Sequence, residues 1–572
     1  MLGKWITRHK NIILLIACVL LVPSVIGYVS TRVNYDVLSY LPNTLETVSG
    51  QDTLVDEFGM GAFSMIVVED MSNKQAAALE KKIEGIDHVK DVLWYDDMVD
   101  ISVPTEMLPK NLEEAFFNGN ATMMIALFDD TTSADDTMDA ITNIRKTVGK
   151  DVYASGMSGV VTDIKNLALQ EMPIYVVIAA VLSLVVLIIT MDSFLTPFIF
   201  LANIGMAIVF NLGSNIFLGE ISYITQALAA VLQLAVTMDY SIFLLESYEA
   251  NKKRFPDDRK RAMAHAISNT FKSVSSSSVT TIAGFVALCF MTFKLGANIG
   301  IVMSKGVVIG VITCVTVLPA MILTFDNAIE KTTHKALIPP LTKVSDFIVK
   351  HYKIAIVVFL VLLGPAIYGN SNYKIYYNID QGLPKNIPSA EANDKLKEHF
   401  NMSNVHMVLL KDGLSAKDKN QMIKKIEKVD GVKWVIGLNS LVGPNFPETM
   451  IPEDVKSMLK TDKYELQFVC SDYSSATDKV NAQLDEMQKI VKGYQKDAMV
   501  IGEAPLMKDL QDTTDIDLKT VNYISIAAIF IIILVTFKSI SIPIILVAVI
   551  EFAIACNMAV PYYTNTSLAF VA

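Results

Sequence analysis

The chain has 572 residues, a hydrophobic fraction of 52% and a mean hydropathy of +0.41. It is too apolar for one soluble domain and too long for a single core. The net charge of −11 is unevenly distributed, because residues 30–173 contain 10 Lys or Arg and 25 Asp or Glu. Such an acidic segment excludes nucleic acid as a partner.

Runs of about 20 apolar residues, long enough to cross about 30 Å of hydrocarbon, recur along the chain. They predict a polytopic α-helical membrane protein whose first helix is not a cleaved signal peptide. The predicted spans are 11–29, 172–190, 196–217, 222–247, 274–293, 297–323, 353–369, 521–537 and 541–560, with a tenth beginning near Ser567.

Loops rich in Lys and Arg stay in the cytoplasm. The N-terminus and the loops 248–273 and 326–352 are therefore predicted inside the cytoplasmic membrane, and the two long polar segments outside it. Strands alternate with helices in both polar segments, which predicts small α/β domains of the split βαβ type. The predicted order is a first helix (1–29), an outer domain (30–171), helices 2–6 (172–325), a cytoplasmic linker (326–352), helix 7 (353–369), a second outer domain (370–520), and helices 8 and 9 with the start of helix 10 (521–572).

The two halves of the chain resemble each other. Residues 155–164 match residues 501–510 at an offset of 346 positions. The same offset aligns Gly156 with Gly502, Asp163 with Asp509, Thr190 with Thr536 and Pro197 with Pro543. We interpret the chain as an internal repeat, an arrangement that many transporters use to build two gates around one path.

One carboxylate stands inside the fourth predicted span, in 233-QLAVTMDYSIFLLES-247. Placing Asp239 there costs about 2.5–3.5 kcal/mol. Ionisable residues in such positions face the bundle interior or a water-filled cavity, and they mark ion or proton pathways. Loss of water favours the protonated form of a carboxylate. Asp239 is therefore predicted to take up and release a proton and so to drive alternation between two states.

Other polar residues surround this carboxylate in the sequence. Gln233 and Tyr240 lie seven residues apart on one stripe of the helix, and Glu246 lies seven residues beyond Asp239. In the fifth span, hydroxyls such as those of Ser277 and Thr281 can pass protons or hold water. We predict that Asp239 and Tyr240 form the relay and that the others support it: Gln233, Glu246, Ser277 and Thr281.

Each of these residues also has a structural interpretation. Asp239 can be satisfied by neighbouring hydroxyls, Tyr240 can pack in the core, and Glu246 can be an ordinary surface carboxylate. The Ser and Thr run can serve close helix packing. Two more intramembrane charges are Lys305 and Glu551. Lys305 differs from Asp239 in depth by about 14 Å, so no direct ion pair is expected, and its structural interpretation is that it snorkels outward. Glu551 is a second-rank functional candidate.

No pattern in the sequence points to a cofactor. Four of the five cysteines fall in predicted spans, so no disulfide framework is expected, and the histidines lack metal-ligand spacing. We find neither a phosphate-binding loop nor a nucleophile–base pair. The protein is therefore predicted to be no enzyme, to bind no metal and to hydrolyse no nucleotide.

The Asp239–Tyr240 pair, residues 277–288 and residues 303–320 together resemble the MMPL branch of the resistance–nodulation–division (RND) superfamily. The resemblance covers nearly the whole chain. It implies a proton-driven exporter of lipids or other hydrophobic molecules, with twelve spans, two porter domains and no cofactor. It also implies a second Asp-Tyr pair in the tenth span. The repeat places that pair near position 585, so the chain is expected to be a fragment.

The leading hypothesis is a proton antiporter that drives efflux of a lipid or amphiphile, as a monomer or a trimer. Its partners are protons, a hydrophobic small molecule and the membrane. One alternative is a lipid-binding sensor or scaffold that does not pump, because the second to sixth spans also resemble sterol-sensing domains. Another is a proton-coupled accessory of protein export.

Overall fold

The computed structural model describes residues 2–97, 101, 103–108, 110–149, 152–334, 342–438 and 453–570. The chain forms two compact units. The first unit comprises Met1–Asn34, Ala168–Ile375 and Ile516–Leu568, and the second comprises Tyr35–Leu167, Tyr376–Asp515 and Ala569–Ala572. The finer division into seven segments stays a prediction.

Most of the described residues are helical. In chain order the helices are α1 (Leu2–Arg8), α2 (Lys10–Ser30), α3 (Glu46–Phe58), α4 (Asn73–Glu84), α5 (Lys110–Phe116), α6 (Asp135–Thr147), α7 (Met157–Thr190), α8 (Leu195–Gly213), α9 (Tyr223–Arg254), α10 (Arg259–Ala287), α11 (Lys294–Lys331), α12 (Thr342–Lys350), α13 (Tyr352–Asn372), α14 (Pro388–Phe400), α15 (Ala416–Ile426), α16 (Glu453–Leu459), α17 (Asp478–Tyr494), α18 (Glu503–Phe537) and α19 (Ser541–Thr564). The strands are β1 (Arg32–Asn34), β2 (Ala62–Glu69), β3 (Val89–Leu93), β4 (Phe117–Asn118), β5 (Ala121–Phe128), β6 (Val152–Ser155), β7 (Glu220–Ser222), β8 (Lys374–Tyr376), β9 (Asn404–Lys411), β10 (Val432–Gly437), β11 (Tyr464–Ser471), β12 (Met499–Gly502) and β13 (Ser567–Ala569).

Within the described ranges, nine helices are long and apolar enough to cross a membrane: α2, α7, α8, α9, α10, α11, α13, α18 and α19. They match the nine complete spans predicted from hydropathy. Two of them begin well before their apolar run, since α7 starts at Met157 and α18 at Glu503. Hydropathy detects only the apolar part of a helix, whereas the backbone hydrogen bonds continue through its polar turns.

One predicted boundary differs from the structure. Ser567–Ala569 form a strand where the tenth helix was expected to begin, and the Phe570 N–H donates to the Tyr376 carbonyl at 3.2 Å. Three residues are too few to show strand periodicity in a sequence. α11 continues to Lys331, so the first residues of the predicted linker are helical, and the linker itself stays a prediction. Positions 335–341 of that linker lie outside the described residues.

In the first unit, α8, α9, α10 and α11 pack around an apolar core. The core includes Phe200, Leu244, Cys314 and Leu318, none of which is exposed. The start of α11 is held by a carboxylate from α18. Asp517 accepts hydrogen bonds from the backbone N–H groups of Thr292 at 3.0 Å and Phe293 at 2.8 Å. These N–H groups have no partner within their own helix, so a carboxylate is favourable there.

The second unit contains two antiparallel sheets with the same strand order. The first runs β3-β5-β2-β6, with the short β4 paired to β5, and the second runs β10-β11-β9-β12. In chain order, a helix follows the first strand of each sheet and another helix precedes its last strand. This is the split βαβ arrangement that the sequence predicts. A glycine with positive φ stands at the end of each last strand: Gly156 (96°) directly follows β6, and Gly502 (122°) is the last residue of β12. Only glycine adopts this backbone readily, and a long helix follows each one directly.

Alternating residues of the second sheet enter two apolar layers. On β9, Val405, Met407 and Leu409 join the core shared with the first sheet. Val408 and Leu410 face the other way, against apolar residues of α15 and α17. Side chains of a strand alternate between faces, so both faces of this sheet are covered.

Candidate functional site

The predicted relay residues, Asp239 and Tyr240, lie on α9, and their side chains point to different sides of the helix. Tyr240 is 3% exposed, and within the part of the chain that the structure describes no group hydrogen-bonds to its hydroxyl. Asp239 is exposed, whereas the sequence placed it facing the bundle interior or a water-filled cavity. Successive residues of a helix are about 100° apart, so burying Tyr240 turns Asp239 outward. Asp239 shares this exposed stripe with Phe243 and Glu246.

Gln233 is the centre of a buried polar cluster. It lies six residues before Asp239 on α9. Its side-chain oxygen accepts from Asn211 Nδ2 of α8 at 3.0 Å. Its amide nitrogen donates to the Gly306 carbonyl of α11 at 3.2 Å. The oxygen and the nitrogen of the Gln233 amide thus bind different helices and link α8, α9 and α11. The supporting role that the sequence suggested for Gln233 stays a prediction.

Two glycines one turn apart let α11 approach this cluster. A Cβ on Gly306 would lie 2.6 Å from Asn211 Nδ2, and a Cβ on Gly310 would lie 2.7 Å from Thr237 Oγ1. Gly306 contacts Gln233, and Gly310 contacts Thr237. Because the residue numbers increase by four on both helices, α9 and α11 run in the same direction. Small residues four apart are the usual means of close helix packing in membranes.

The side chain of Lys305 extends to the C-terminal end of α8 and does not contact Asp239. Its ammonium donates to the Asn211 carbonyl at 3.0 Å and to Asn215 Oδ1 at 2.6 Å. The last carbonyls of a helix carry partial negative charge, so a cation is stabilised there. Among the described residues, Lys305 and Asp239 do not form an ion pair. Asn211 and Asn215, which sequence reasoning missed, are what holds this charge.

Several buried polar atoms in the bundle have no hydrogen-bond partner among the described residues. They include both side-chain atoms of Asn203, the hydroxyls of Thr237 and Ser304, and Asn211 Oδ1. Buried polar groups are normally hydrogen-bonded, to protein or to ordered water. These residues lie on α8, α9 and α11, inside an otherwise apolar bundle. We call this group of buried polar side chains the polar seam, and its unpaired atoms make it suited to hold water.

The remaining predicted residues lie nearer the surface of the described chain. Ser277 and Glu246 are exposed, and Thr281 and Glu551 are half-buried. The Thr281 hydroxyl donates to the Ser277 carbonyl at 3.2 Å, one turn earlier on α10. Hydroxyls bonded in this way are satisfied by their own helix. The Thr281 hydroxyl is therefore satisfied within α10, and the supporting role of Ser277 and Thr281 stays a prediction.

A cluster of charged side chains joins the C-terminal end of α9 to the start of α10 and the end of α11. Asp326, which is 3% exposed on α11, pairs with Arg259 at 2.6 Å and Lys252 at 3.7 Å. It also accepts from the Tyr248 hydroxyl at 3.2 Å. Glu330 binds the same two cations at 2.9 and 2.7 Å. The sequence showed these charges only as a cytoplasmic loop, because their pairing requires three helix ends to meet.

The second unit contains a cavity of about 430 Å³. Both sheets and the helices α3 and α14 line it, and its walls mix apolar and polar side chains. The apolar side chains include Met60, Met65, Leu127, Met402, Met407 and Phe468, and the polar ones include Asp36, Gln51, Asn393, Lys397, Ser475 and Glu503. Methionine side chains adapt to ligands of irregular shape. A cavity of this size and character can enclose part of an amphiphilic molecule.

Asp36 is an ionisable group of the cavity wall. Burial raises the pKa of its carboxyl to about 6, although hydrogen bonds from Leu38 and Ser39 act in the opposite direction. The Leu38 N–H donates to Asp36 Oδ1 at 2.9 Å. Sequence reasoning did not single out this residue, because only the fold brings it beside residues that are more than 350 positions away, such as Lys397.

Nine described helices able to cross a membrane, with a polar seam between them, define a multi-pass membrane protein. The model of the MMPL family matches residues 52–338 and 381–570. The chain therefore belongs to the MMPL family, and the resemblance to the MMPL branch of the RND superfamily that the sequence showed around Asp239 is confirmed.

Similar proteins occur in Mycobacterium tuberculosis (strain CDC 1551 / Oshkosh). The siderophore exporter MmpL5 is 22% identical over 362 residues, which cover 60% of this chain and 37% of that protein. The protein named probable transport protein MmpL12 is 24% identical over 315 residues, which cover 52% of this chain and 27% of that protein. The matches thus span only about a third of the length of these curated relatives.

Proposed function

We propose that the protein is a proton-driven secondary transporter that exports lipids or other amphiphilic molecules from the cytoplasmic membrane. The observation that carries this proposal is the Asp239–Tyr240 pair on a membrane helix whose buried side contributes to a polar seam suited to hold water. A carboxylate in an apolar span is costly and is retained where it moves ions or protons. The names of the two mycobacterial relatives support transport, and one of them is called an exporter.

In the proposed mechanism Asp239 takes up a proton from one side of the membrane and releases it to the other. Tyr240, buried on the adjacent side of α9, positions the helix. Gln233 links α9 to α8 and α11, so a shift of α9 is transmitted to both. Ser277, Thr281 and Glu246 support proton access, with Glu551 in second rank. The exposed stripe of Asp239 is the proposed contact face for the second Asp-Tyr pair that the resemblance implies.

We further propose that the second unit is extracytoplasmic, that its two sheets come from an internal duplication, and that its cavity receives the transported molecule. The mixed lining suits an amphiphile, since apolar tails can contact Met65 and Phe468 while a polar group meets Asn393 or Ser475. No nucleotide hydrolysis is required, because the proton gradient supplies the free energy.

Efflux of Nile red from cells that express the whole protein tests the proposal. The Asp239→Asn variant is expected to lose the part of efflux that a protonophore abolishes in the wild type. Glu249→Gln is a matched control, because Glu249 is an exposed carboxylate ten residues further along the same helix. Unchanged gradient-dependent efflux in Asp239→Asn would overturn proton coupling through this residue.

Binding must be measured separately from flux. A diazirine-labelled fatty acid is expected to photolabel cavity residues such as Met65 and Met407 in both the wild type and Asp239→Asn. Labelling without any gradient-dependent efflux in the wild type would favour the lipid sensor or scaffold. Efflux without labelling in the cavity would leave transport standing and remove the cavity from the substrate path.

A further inference from the structure

Three carboxylates meet at one edge of the first sheet, outside every site described above. Glu80 lies on α4, and Asp96 and Asp97 lie on the single 3₁₀ turn that follows β3. One oxygen from each carboxylate lies within 4.8 Å of the other two. Like charges at this separation repel, so the arrangement needs a cause.

The fold itself holds the turn in place. The indole N–H of Trp94 donates to Thr122 Oγ1 at 2.9 Å, and the Tyr95 hydroxyl accepts from Asn73 Nδ2 at 3.1 Å. Neither ring is exposed. The backbone N–H of Trp94 also donates to Asp97 Oδ2 at 2.9 Å. The carboxylates are therefore pre-positioned by packing and neutral hydrogen bonds, as ligands of a binding site usually are.

The innermost carboxylate lacks a donor. Glu80 is 3% exposed, and no hydrogen-bond donor in the described ranges of the chain reaches its Oε1 or the buried Oδ1 of Asp96. Burial raises the pKa of Glu80, and the neighbouring charges of Asp96 and Asp97 raise it further. Glu80 and Asp96 can hydrogen-bond to each other only while one of them holds a proton. Burying both as charged groups is costly, so either a cation or a shared proton has to stabilise the pair.

The surrounding charges add to the negative potential. Glu84 and Asp91 lie close enough that burial and the charge of Asp91 raise the pKa of Glu84. In the described part of the chain, the basic group that acts on Glu84 and Asp96 is Lys81, which is exposed. One exposed lysine cannot neutralise five carboxylates, so the potential at the cluster favours a divalent ion.

We propose that Glu80, Asp96 and Asp97 form a binding site for a divalent cation, with Ca²⁺ the best fit. Carboxylate oxygens are the ligands that Ca²⁺ prefers, at about 2.3–2.6 Å, so ligands on opposite sides of the ion lie about 5 Å apart. The three oxygens of the cluster lie within this distance of one another. A set of three carboxylates suits Ca²⁺, whereas Mg²⁺ is usually bound through one or two carboxylates and keeps several waters. Asp96 and Asp97 are half-buried, which leaves access from solvent and room for water ligands.

The cation would join α4 to the turn after β3. β3 is an edge strand of the first sheet. The two segments are otherwise pushed apart at this point by charge repulsion. Bound Ca²⁺ is therefore expected to stabilise the second unit, whether or not the protein transports anything.

Terbium luminescence tests the site, because Tb³⁺ replaces Ca²⁺ and emits when a nearby tryptophan is excited. The chain has three tryptophans, Trp5, Trp94 and Trp434, and Trp94 adjoins the cluster. The purified full chain, first treated with EDTA, is expected to give sensitised emission that Ca²⁺ displaces and K⁺ at equal ionic strength does not. Trp94→Phe should abolish the emission. Emission that survives in this variant would place the ion elsewhere and overturn the proposal.

Thermal unfolding supplies a second readout. Ca²⁺ is expected to raise the Tm of the wild type and of Trp94→Phe alike. Glu80→Gln and Asp96→Asn should each weaken Ca²⁺ binding about tenfold or more, because affinity depends on the number of charged ligands. Asp139→Asn, an exposed carboxylate of α6, is the matched control. No Ca²⁺ effect on Tm in the wild type, or equal affinity in Glu80→Gln, would leave a shared proton as the explanation of the cluster.

Discussion

The carboxylate of Asp163 on α7 accepts a hydrogen bond from the backbone N–H of Ser389 at 2.7 Å, although the two residues lie 226 positions apart. Ser389 stands in the first turn of α14, which packs against β6 of the first sheet. The matching residue Asp509 on α18 accepts from the Thr47 hydroxyl at 2.5 Å, in the first turn of α3. α3 packs against β12 of the second sheet. Each short helix is thus held by the opposite half of the second unit.

Removing Asp163 should destabilise the second unit strongly. Its carboxylate also pairs with Arg145 at 2.6 Å, and this guanidinium is mostly buried. Asp163→Ala is expected to lower the free energy of unfolding by about 3–5 kcal/mol, because it leaves a buried cation unpaired. Urea denaturation followed by the fluorescence of Trp94 and Trp434 measures the change.

The double variant Arg145→Ala with Asp163→Ala separates the ion pair from the helix contact. It should be less destabilised than the sum of the two single variants, since neither partner is then left buried alone. Exact additivity would mean that Arg145 and Asp163 do not interact.

A side chain larger than hydrogen at Gly306 should disrupt the membrane bundle. Its Cβ would enter the contact between Asn211 and Gln233, where a distance of 2.6 Å leaves no room. Gly306→Val is expected to cost about 3 kcal/mol or more, because a packed core cannot absorb the added groups. Gly205→Val on α8 is the control, since nothing lies within 4 Å of a Cβ there. Monodispersity in detergent and the Tm compare the two, and equal behaviour would contradict the close packing.

The two acids at the end of α11 should differ in their contribution to stability. The side chain of Asp326 is 4% exposed and that of Glu330 is 42% exposed, although both bind Arg259 and Lys252. Asp326→Asn is expected to cost about 3 kcal/mol. Glu330→Gln should cost about 1 kcal/mol or less. Thermal unfolding of the two variants side by side tests this order, and a larger effect of Glu330→Gln would refute it.

His406 should make the second unit sensitive to acid. The ring is not exposed, and burial lowers its pKa to about 4 despite the contact of Nε2 with Gln483 Oε1 at 3.1 Å. The unfolded chain binds a proton at about pH 6.5. Between pH 6.5 and about 4 the unfolded state therefore holds more protons, and stability falls as the pH falls through this window.

The His406 contribution approaches about 3 kcal/mol over that window. His406→Gln should unfold with a weaker dependence on pH between 7 and 4.5 than the wild type does. His88→Gln changes an exposed histidine and should keep the wild-type dependence. Parallel pH profiles for the wild type and His406→Gln would show that His406 is not the cause.

The sequence by itself determined the membrane helices, the split βαβ pattern and the family. Each depends on local features: an apolar run of sufficient length, alternation with period two, or a short motif such as Asp239–Tyr240. The helices that the sequence did not predict include α3 and α14 of the second unit. α3 carries Gly50 in its middle, which weakens the helix signal. The tertiary structure explains that glycine, because a Cβ there would lie 2.5 Å from Ile501 Cγ2.

Only the tertiary structure decided which side chains meet. Asp239 faces outward because Tyr240 is buried, and nothing in the local sequence distinguishes those two rotations of α9. Lys305 finds its partners on α8, about 90 positions earlier in the chain. Glu80 meets Asp96 and Asp97 only when α4 folds back beside the turn after β3. Hydropathy and periodicity report the state of a segment, whereas sites arise from contacts between segments, and these depend on packing that no local pattern encodes.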